Sequence, residues 1–138
     1  MPFVHEHRTR VRYDETDQGR VVYHAKYLHY FEAGRTEFFR SIGMRYRDME
    51  DSGFFLVVTE AGLRYRASAR YDDEILVRTW LTEVKPVTVR FAYEVYREPG
   101  PVLLCTGDTR LACVAADFKP RRMPPDVIAL LSRQLGGI

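Results

Sequence analysis

Cysteine is scarce and tryptophan scarcer in this 138-residue sequence, which has two of the first and one of the second. Cys105 and Cys113 fall in one strand-like segment. At about 3.3 Å per residue an extended strand holds them roughly 26 Å apart, whereas a disulfide needs Cα atoms within about 7 Å. An intrachain disulfide is therefore excluded, and buried, reduced thiols facing one side are expected, as in a cytoplasmic protein. Long apolar runs are also missing. None approaches the roughly 18 residues of a membrane span, and the opening MPFVHEHRTR has no signal-peptide core, so membrane insertion is not expected. Charge of one sign is in short supply too: a net +2 is too small to indicate nucleic acid, and it suits a phosphorylated small molecule equally well. His5, His7, His24 and His29 lack the Cys or carboxylate spacing of a closed metal site, so no metal is expected, although His5 and His7 share a strand face. Without repeats or low-complexity segments, residues 1–138 read as a single domain.

What is present has a clear order. Residues 3–14 alternate, with His5, His7, Thr9, Val11 and Tyr13 opposite Glu6, Arg8, Arg10 and Arg12, which reads as a strand with one charged face. The run DETDQG (14–19) breaks that pattern with turn residues. From Ala25 to Ile42 the period becomes helical: Leu28, Phe31, Phe38, Phe39 and Ile42 form an apolar stripe, Arg35 falls within it, and Gly43 supplies the stop. Strands follow over 54–66, 75–83, 88–97 and 102–115, with turns at Tyr71-Asp72-Asp73, Lys85-Pro86 and Glu98-Pro99-Gly100-Pro101. Their short connections favour antiparallel hairpins. A loop over 119–125 leads to a short terminal helix with Asp126 as N-cap. The residues 102–115 read as nearly apolar on both faces, the pattern of a central, doubly buried strand. One helix covers only one face of five strands, so a second copy of the chain is expected to cover the rest.

The segment joining the first strand to the helix carries the candidate chemistry. Residues 22–26 contain no Ser, Thr, Asp or Asn to cap the helix, so its first N–H groups point outward unpaired. Such an end suits an oxyanion, and Asp17 lies a few residues upstream. A carboxylate beside an oxyanion-binding helix start is a minimal apparatus for acyl transfer. On spacing alone, Asp17 reads equally as a turn former before Gly19, His24 as a hydrogen-bonded histidine, and Tyr23 and Tyr27 as core aromatics. Glu32 and Arg35 are spaced to pair on the helix, which would neutralise Arg35.

These residues bring a family into view. Tyr13, Asp17, Gly19, Val21-Val22-Tyr23-His24, Tyr27, Glu32 and Arg35 together resemble the signature of the 4-hydroxybenzoyl-CoA thioesterase family, in particular the acyl-CoA thioesterases encoded alongside the Tol–Pal envelope system. Arg66-Ala67-Ser68-Ala69-Arg70-Tyr71-Asp72-Asp73 and the tail Arg121-Arg122-Met123-Pro124 carry the likeness along the chain. The resemblance implies an α+β hot-dog fold, a five-stranded antiparallel sheet wrapped around one long central helix, dimerising edge to edge and often forming tetramers. It implies an acyl-CoA thioester hydrolase with sites at the dimer interface, and no cofactor, CoA being part of the substrate. Asp17 would attack the thioester carbonyl or activate water, the His24 amide would polarise the carbonyl oxygen, and the His24 side chain and Tyr23 would complete the catalytic set. Tyr27, Lys85 and Arg66 would contact substrate, with Arg64, Arg70, Lys119, Arg121 and Arg122 as further candidates for the CoA phosphates.

The sequence departs from the family at two positions. The family usually has Gly or a small residue at 20 and Asn at 26, where this chain has Arg20 and Lys26, and Lys26 opposes the helix dipole unless an anion is near. Three alternatives follow from the same pattern. In a second hot-dog class the acid sits on the helix, as Glu32 or Glu37 would here. A hot-dog enoyl-CoA hydratase would space Asp and His five apart, whereas Asp17 and His24 are seven apart. A non-catalytic acyl-CoA-binding module would use the fold without the chemistry.

Overall fold

The computed structural model describes residues 2–135. Met1 and residues 136–138, which the single-domain expectation over 1–138 includes, lie outside the described residues. The elements are β1 (His5–Arg10), a 3₁₀ turn (Tyr13–Glu15), α1 (Lys26–Ser41), α2 (Tyr46–Asp51), β2 (Phe55–Tyr65), β3 (Glu74–Val84), β4 (Thr88–Glu98), β5 (Val102–Val114) and α3 (Pro125–Arg133). All strand pairings are antiparallel, in the order β1-β3-β4-β5-β2. Among the described residues no helix is long and apolar enough to cross a membrane.

Helix α1 buries Tyr27, Tyr30, Phe31, Gly34, Arg35, Phe38 and Phe39, the i, i+3, i+4, i+7 spacing that keeps one stripe on the sheet. The expected stripe holds at its phenylalanines. Leu28, however, is 37% exposed, and Ile42 is the half-buried C-cap, because tyrosines and a glycine supply the rest of the contact face. Gly43 ends the helix at φ +86°, a conformation that only glycine adopts without cost.

Two glycines set how closely the helix approaches. A Cβ on Gly34 would stand 2.8 Å from Val77 Cγ1 and against the Thr79 hydroxyl. One on Gly107 would stand 2.6 Å from the Gly62 carbonyl and inside the Phe31 ring. Phe31 instead lies flat on Tyr93, with centroids 4.3 Å apart and planes 6° from parallel.

Several expectations are corrected. β1 stops at Arg10, and Tyr13 begins a 3₁₀ turn in which it is 77% exposed. The central strand is β4 rather than β5. β5 is not apolar on both faces: Cys105, Thr109, Leu111 and Cys113 are buried, while Asp108 is exposed and Arg110 only half-buried. Cys105 and Cys113 are free and buried on one side, as expected, and burial pushes the Cys105 thiol up to about 11. The outer face of the sheet is laced by cross-strand ion pairs, Arg78 with Glu94 at 2.8 Å and Glu6 at 3.5 Å, and Arg90 with Glu60 at 3.0 Å. Such a face is compatible with water, so it supplies no demand for a second copy.

Glu32 does not neutralise Arg35. Glu32 is exposed, whereas Arg35 is buried among the hydroxyls of Tyr93 and Tyr46, and no ion pair joins the two among the described residues. Burial works to discharge Arg35, but Tyr93 and Tyr46 hold its pKa above the ordinary arginine value. Asp126 is not the N-cap of α3. Pro124 holds that place, Pro125 starts the helix, and Asp126 sits in the first turn, where its charge favours the dipole. Helix α2 was not anticipated; only Met49 of its six residues is buried, too little periodicity to announce it.

The Gly107 contact yields a test. Gly107→Ala should cost about 1–3 kcal/mol through overpacking against Phe31 and the Gly62 backbone. Urea unfolding measures it, and an unchanged midpoint would show that α1 has room to lift.

Candidate active site

The segment between β1 and α1 is a small pinned hairpin. Thr16 and Val22 form an isolated antiparallel bridge, the Asp17 amide donates to the Val21 carbonyl at 3.0 Å, and the Arg20 amide donates to the Asp17 carbonyl at 2.9 Å. Asp17 Oδ1 accepts from the Gly19 amide at 2.8 Å, so the carboxylate helps shape its own turn. It is exposed, and among the described residues Oδ2 has no partner. Arg20 adopts φ +65°, a conformation that glycine takes with less strain than arginine.

The hairpin is tied to the body at both flanks. The Val22 amide donates to the Ala69 carbonyl at 2.9 Å and the Tyr23 amide to the Glu15 carbonyl at 2.9 Å. Glu15 Oε1 accepts from the Arg12 amide at 2.7 Å and from the Tyr30 hydroxyl at 3.2 Å. Burial, reinforced by Glu15, raises the Tyr30 pKa, which keeps the phenol neutral and donating. Buried Tyr27 accepts from the Ala69 amide at 3.3 Å.

Helix α1 begins without a side-chain cap, at Ala25. The amides of Lys26, Tyr27 and Leu28 already turn back to Tyr23, His24 and Ala25 carbonyls. Those of His24 and Ala25 find no acceptor among the described residues. The carbonyl of His24 accepts from the Tyr65 hydroxyl at 2.8 Å, so the end of β2 fixes the peptide just ahead of the helix. Burial raises the Tyr65 pKa, then Cys105 adds to it, so Tyr65 stays a donor. Around these amides stand the rings of Tyr23, 4.4 Å from His24, and Tyr65, 6.4 Å from it. Tyr23 is 45% exposed, not a core aromatic.

Thus Tyr23, His24 and Tyr27 come together, with Arg66 directly after Tyr65 and exposed. Asp17 stands at the hairpin tip, three residues before that cluster when counted from its partner Val21, on the order of 10 Å along extended chain. Lys85 is not at this end. It follows β3, whose start pairs with Arg10, so the length of that strand, roughly 33 Å, separates it from the hairpin within one chain. Sequence reasoning missed Tyr65, Glu15 and Tyr30 as the residues that hold the site. Tyr65 has no local signal, because it meets His24 only through the fold. On the helix, Glu37 is engaged by Arg40, and Glu32 points to solvent.

A sheet curled around one long helix that starts uncapped beside an acidic loop defines an α+β hot-dog protein of the thioesterase type. The chain belongs to the Thioesterase-like superfamily, whose model matches residues 11–131. It is 36% identical to the acyl-CoA thioesterase YbgC of Haemophilus influenzae over 122 residues, covering 87% of this chain and 88% of that protein. The putative acyl-CoA thioesterase YneP of Bacillus subtilis is 32% identical over 119 residues, 84% of this chain and 86% of that one. The DHNA-CoA thioesterase of Staphylococcus aureus superposes with a TM-score of 0.90 at 32% identity, over 94% of this chain and 89% of that one. A 4-hydroxybenzoyl CoA thioesterase, at 18% identity and a TM-score of 0.84 over 93% of this chain and 98% of that one, shares the fold.

The strained position gives a prediction. Arg20→Val should lose about 1–2 kcal/mol, because a branched side chain resists positive φ, whereas Arg20→Gly should be neutral or stabilising. Equal unfolding midpoints for the two variants would contradict the hairpin geometry.

Proposed function

We propose that this chain hydrolyses acyl-CoA thioesters to free acid and CoA, with Asp17 as nucleophile or general base and the His24 and Ala25 amides as the oxyanion site. The observation that carries the reading is the pair of amides, of His24 and Ala25, without acceptors among the described residues, beside a loop that carries the exposed Asp17 carboxylate. The thioesterase names of its relatives support the substrate class. As general base, Asp17 takes a proton from water whose oxygen forms the new C–O bond. The C–S bond then breaks and the thiolate receives that proton. As nucleophile, Asp17 forms the C–O bond itself, CoA leaves as thiolate, and water opens the resulting anhydride. Negative charge gathers on the carbonyl oxygen in both routes, where fixed amides and the α1 dipole stabilise it. The reaction needs no cofactor.

The free edge of β2 supports a homodimer or homotetramer. Its middle residues Val58 to Ala61 are exposed, Val58 to 46%, and an edge strand with unpaired backbone groups is a template for a second copy. Tyr23 and the amides open beside the Tyr65 end of that edge. Two free, buried thiols and a CoA-linked substrate are consistent with the cytoplasm.

Asp17→Asn should lower kcat at least about 100-fold with thioester turnover followed by thiol release, while the fold persists. Near-normal turnover would remove Asp17 from the mechanism. Sedimentation at micromolar concentration should give a dimer or tetramer, and a monomer there would leave the β2 edge without the proposed partner.

A further inference from the structure

A trans peptide group points its N–H opposite to its C=O, so whatever grips the carbonyl also aims the amide. The two amides without acceptors can be traced back in this way. The His24 amide shares its peptide group with the Tyr23 carbonyl, which accepts from the Lys26 amide at 2.8 Å. The Ala25 amide shares its group with the His24 carbonyl. That oxygen accepts from the Tyr65 hydroxyl at 2.8 Å and from the Tyr27 amide at a long 3.4 Å. One amide is therefore held from behind by the backbone of the helix start. The other is held chiefly by one side chain, supplied by a strand 41 residues further on.

Tyr65 is firmly mounted for that contact. It is the last residue of β2 and pairs with buried Cys105, so it faces the helix side of the sheet. Just beyond it, the Arg66 amide donates to the Leu104 carbonyl at 2.8 Å and secures the strand end. The Tyr65 ring meets that of Tyr27 edge-on, with centroids 5.6 Å apart and planes at 76°. Tyr27 is buried in the first turn of α1, so the ring leans on the same turn whose start the hydroxyl holds. Burial raises the Tyr65 pKa, which keeps the proton on the hydroxyl through the neutral range. Phenylalanine would keep every one of these contacts except the hydrogen bond.

A hydrogen bond accepted by a carbonyl polarises the whole peptide group and strengthens the N–H at its other end as a donor. A stronger donor gains most where its acceptor carries most charge. On a thioester that is the oxyanion of the transition state, not the carbonyl of the bound substrate. We propose that Tyr65 is a positioning residue for hydrolysis: by donating to the His24 carbonyl it aims and polarises the Ala25 amide toward the oxyanion. Its hydroxyl stands behind the peptide and does not meet the reacting atoms. This role rests on the hydrolase reading above.

Tyr65→Phe in the full chain tests it, with octanoyl-CoA and benzoyl-CoA as probes. Removal of an oxyanion donor itself costs about a hundredfold or more in kcat; loss of the bond behind one should cost about tenfold, with KM within about twofold of wild type. A raised KM at unchanged kcat makes Tyr65 a substrate contact and overturns the proposal, as do two unchanged constants. The amide gives a second readout. His24-Ala25 is the only His-Ala pair in the sequence, so labelling histidine at its carbonyl carbon and alanine at its nitrogen isolates one amide resonance by NMR. In Tyr65→Phe the Ala25 amide proton should move upfield. The His24 amide proton, isolated in the same way through the only Tyr-His pair, should stay in place. An Ala25 proton that does not move overturns the proposal even if kcat falls. Should Tyr65→Phe not fold, an ortho-fluorinated tyrosine at position 65 decides: its more acidic phenol donates more strongly, so the Ala25 proton should move downfield, and no movement sinks the idea. Thiol release absent from the wild type, or unaffected by Asp17→Asn, overturns the hydrolase reading and this role with it. That result is distinct from an active wild type matched by Tyr65→Phe, which overturns the role alone.

Discussion

The close seating of α1 on the inner face of the sheet is the contact from which the rest of the molecule follows. Gly34 and Gly107 remove the two side chains that would hold helix and sheet apart, and the Phe31 ring fills the space left above Gly107, flat against Tyr93. With the helix that close, its first turn is carried to the Tyr65 end of β2, where one hydroxyl pins the His24 carbonyl. The amides ahead of the helix are thereby aimed by the core, not by a cap. A capped helix start would have used up such donors.

Polar groups in the body serve this placement in different ways. Glu15 joins the 3₁₀ turn, the hairpin flank and the Tyr30 phenol, so a buried helix residue anchors an otherwise exposed loop. Arg35 keeps a charge inside the fold with tyrosine hydroxyls as its company, and its Nε has no acceptor among the described residues. Such a group is costly to bury, and it fixes how α1, α2 and β4 meet. On the opposite face, arginine–carboxylate ladders keep the sheet compatible with water. On the site's side the sheet finishes in β2, an edge strand whose middle residues are exposed.

The one-dimensional pattern by itself determined the order of strands and the long helix, because alternation and three-to-four spacing are local consequences of burying one face. It also determined the turn at Asp17 to Gly19, the uncapped start of α1, the helix stop at Gly43 and the two reduced cysteines. Tertiary structure decided the rest. That β4 and not β5 is central, that Arg35 meets Tyr46 and Tyr93 and not Glu32, and that Tyr65 reaches back 41 residues to His24 are outcomes of strand order and close packing. Lys85 lies a strand's length from the hairpin for the same reason. Spacing along a chain specifies which side a residue faces, but only the folded arrangement specifies what stands there to meet it.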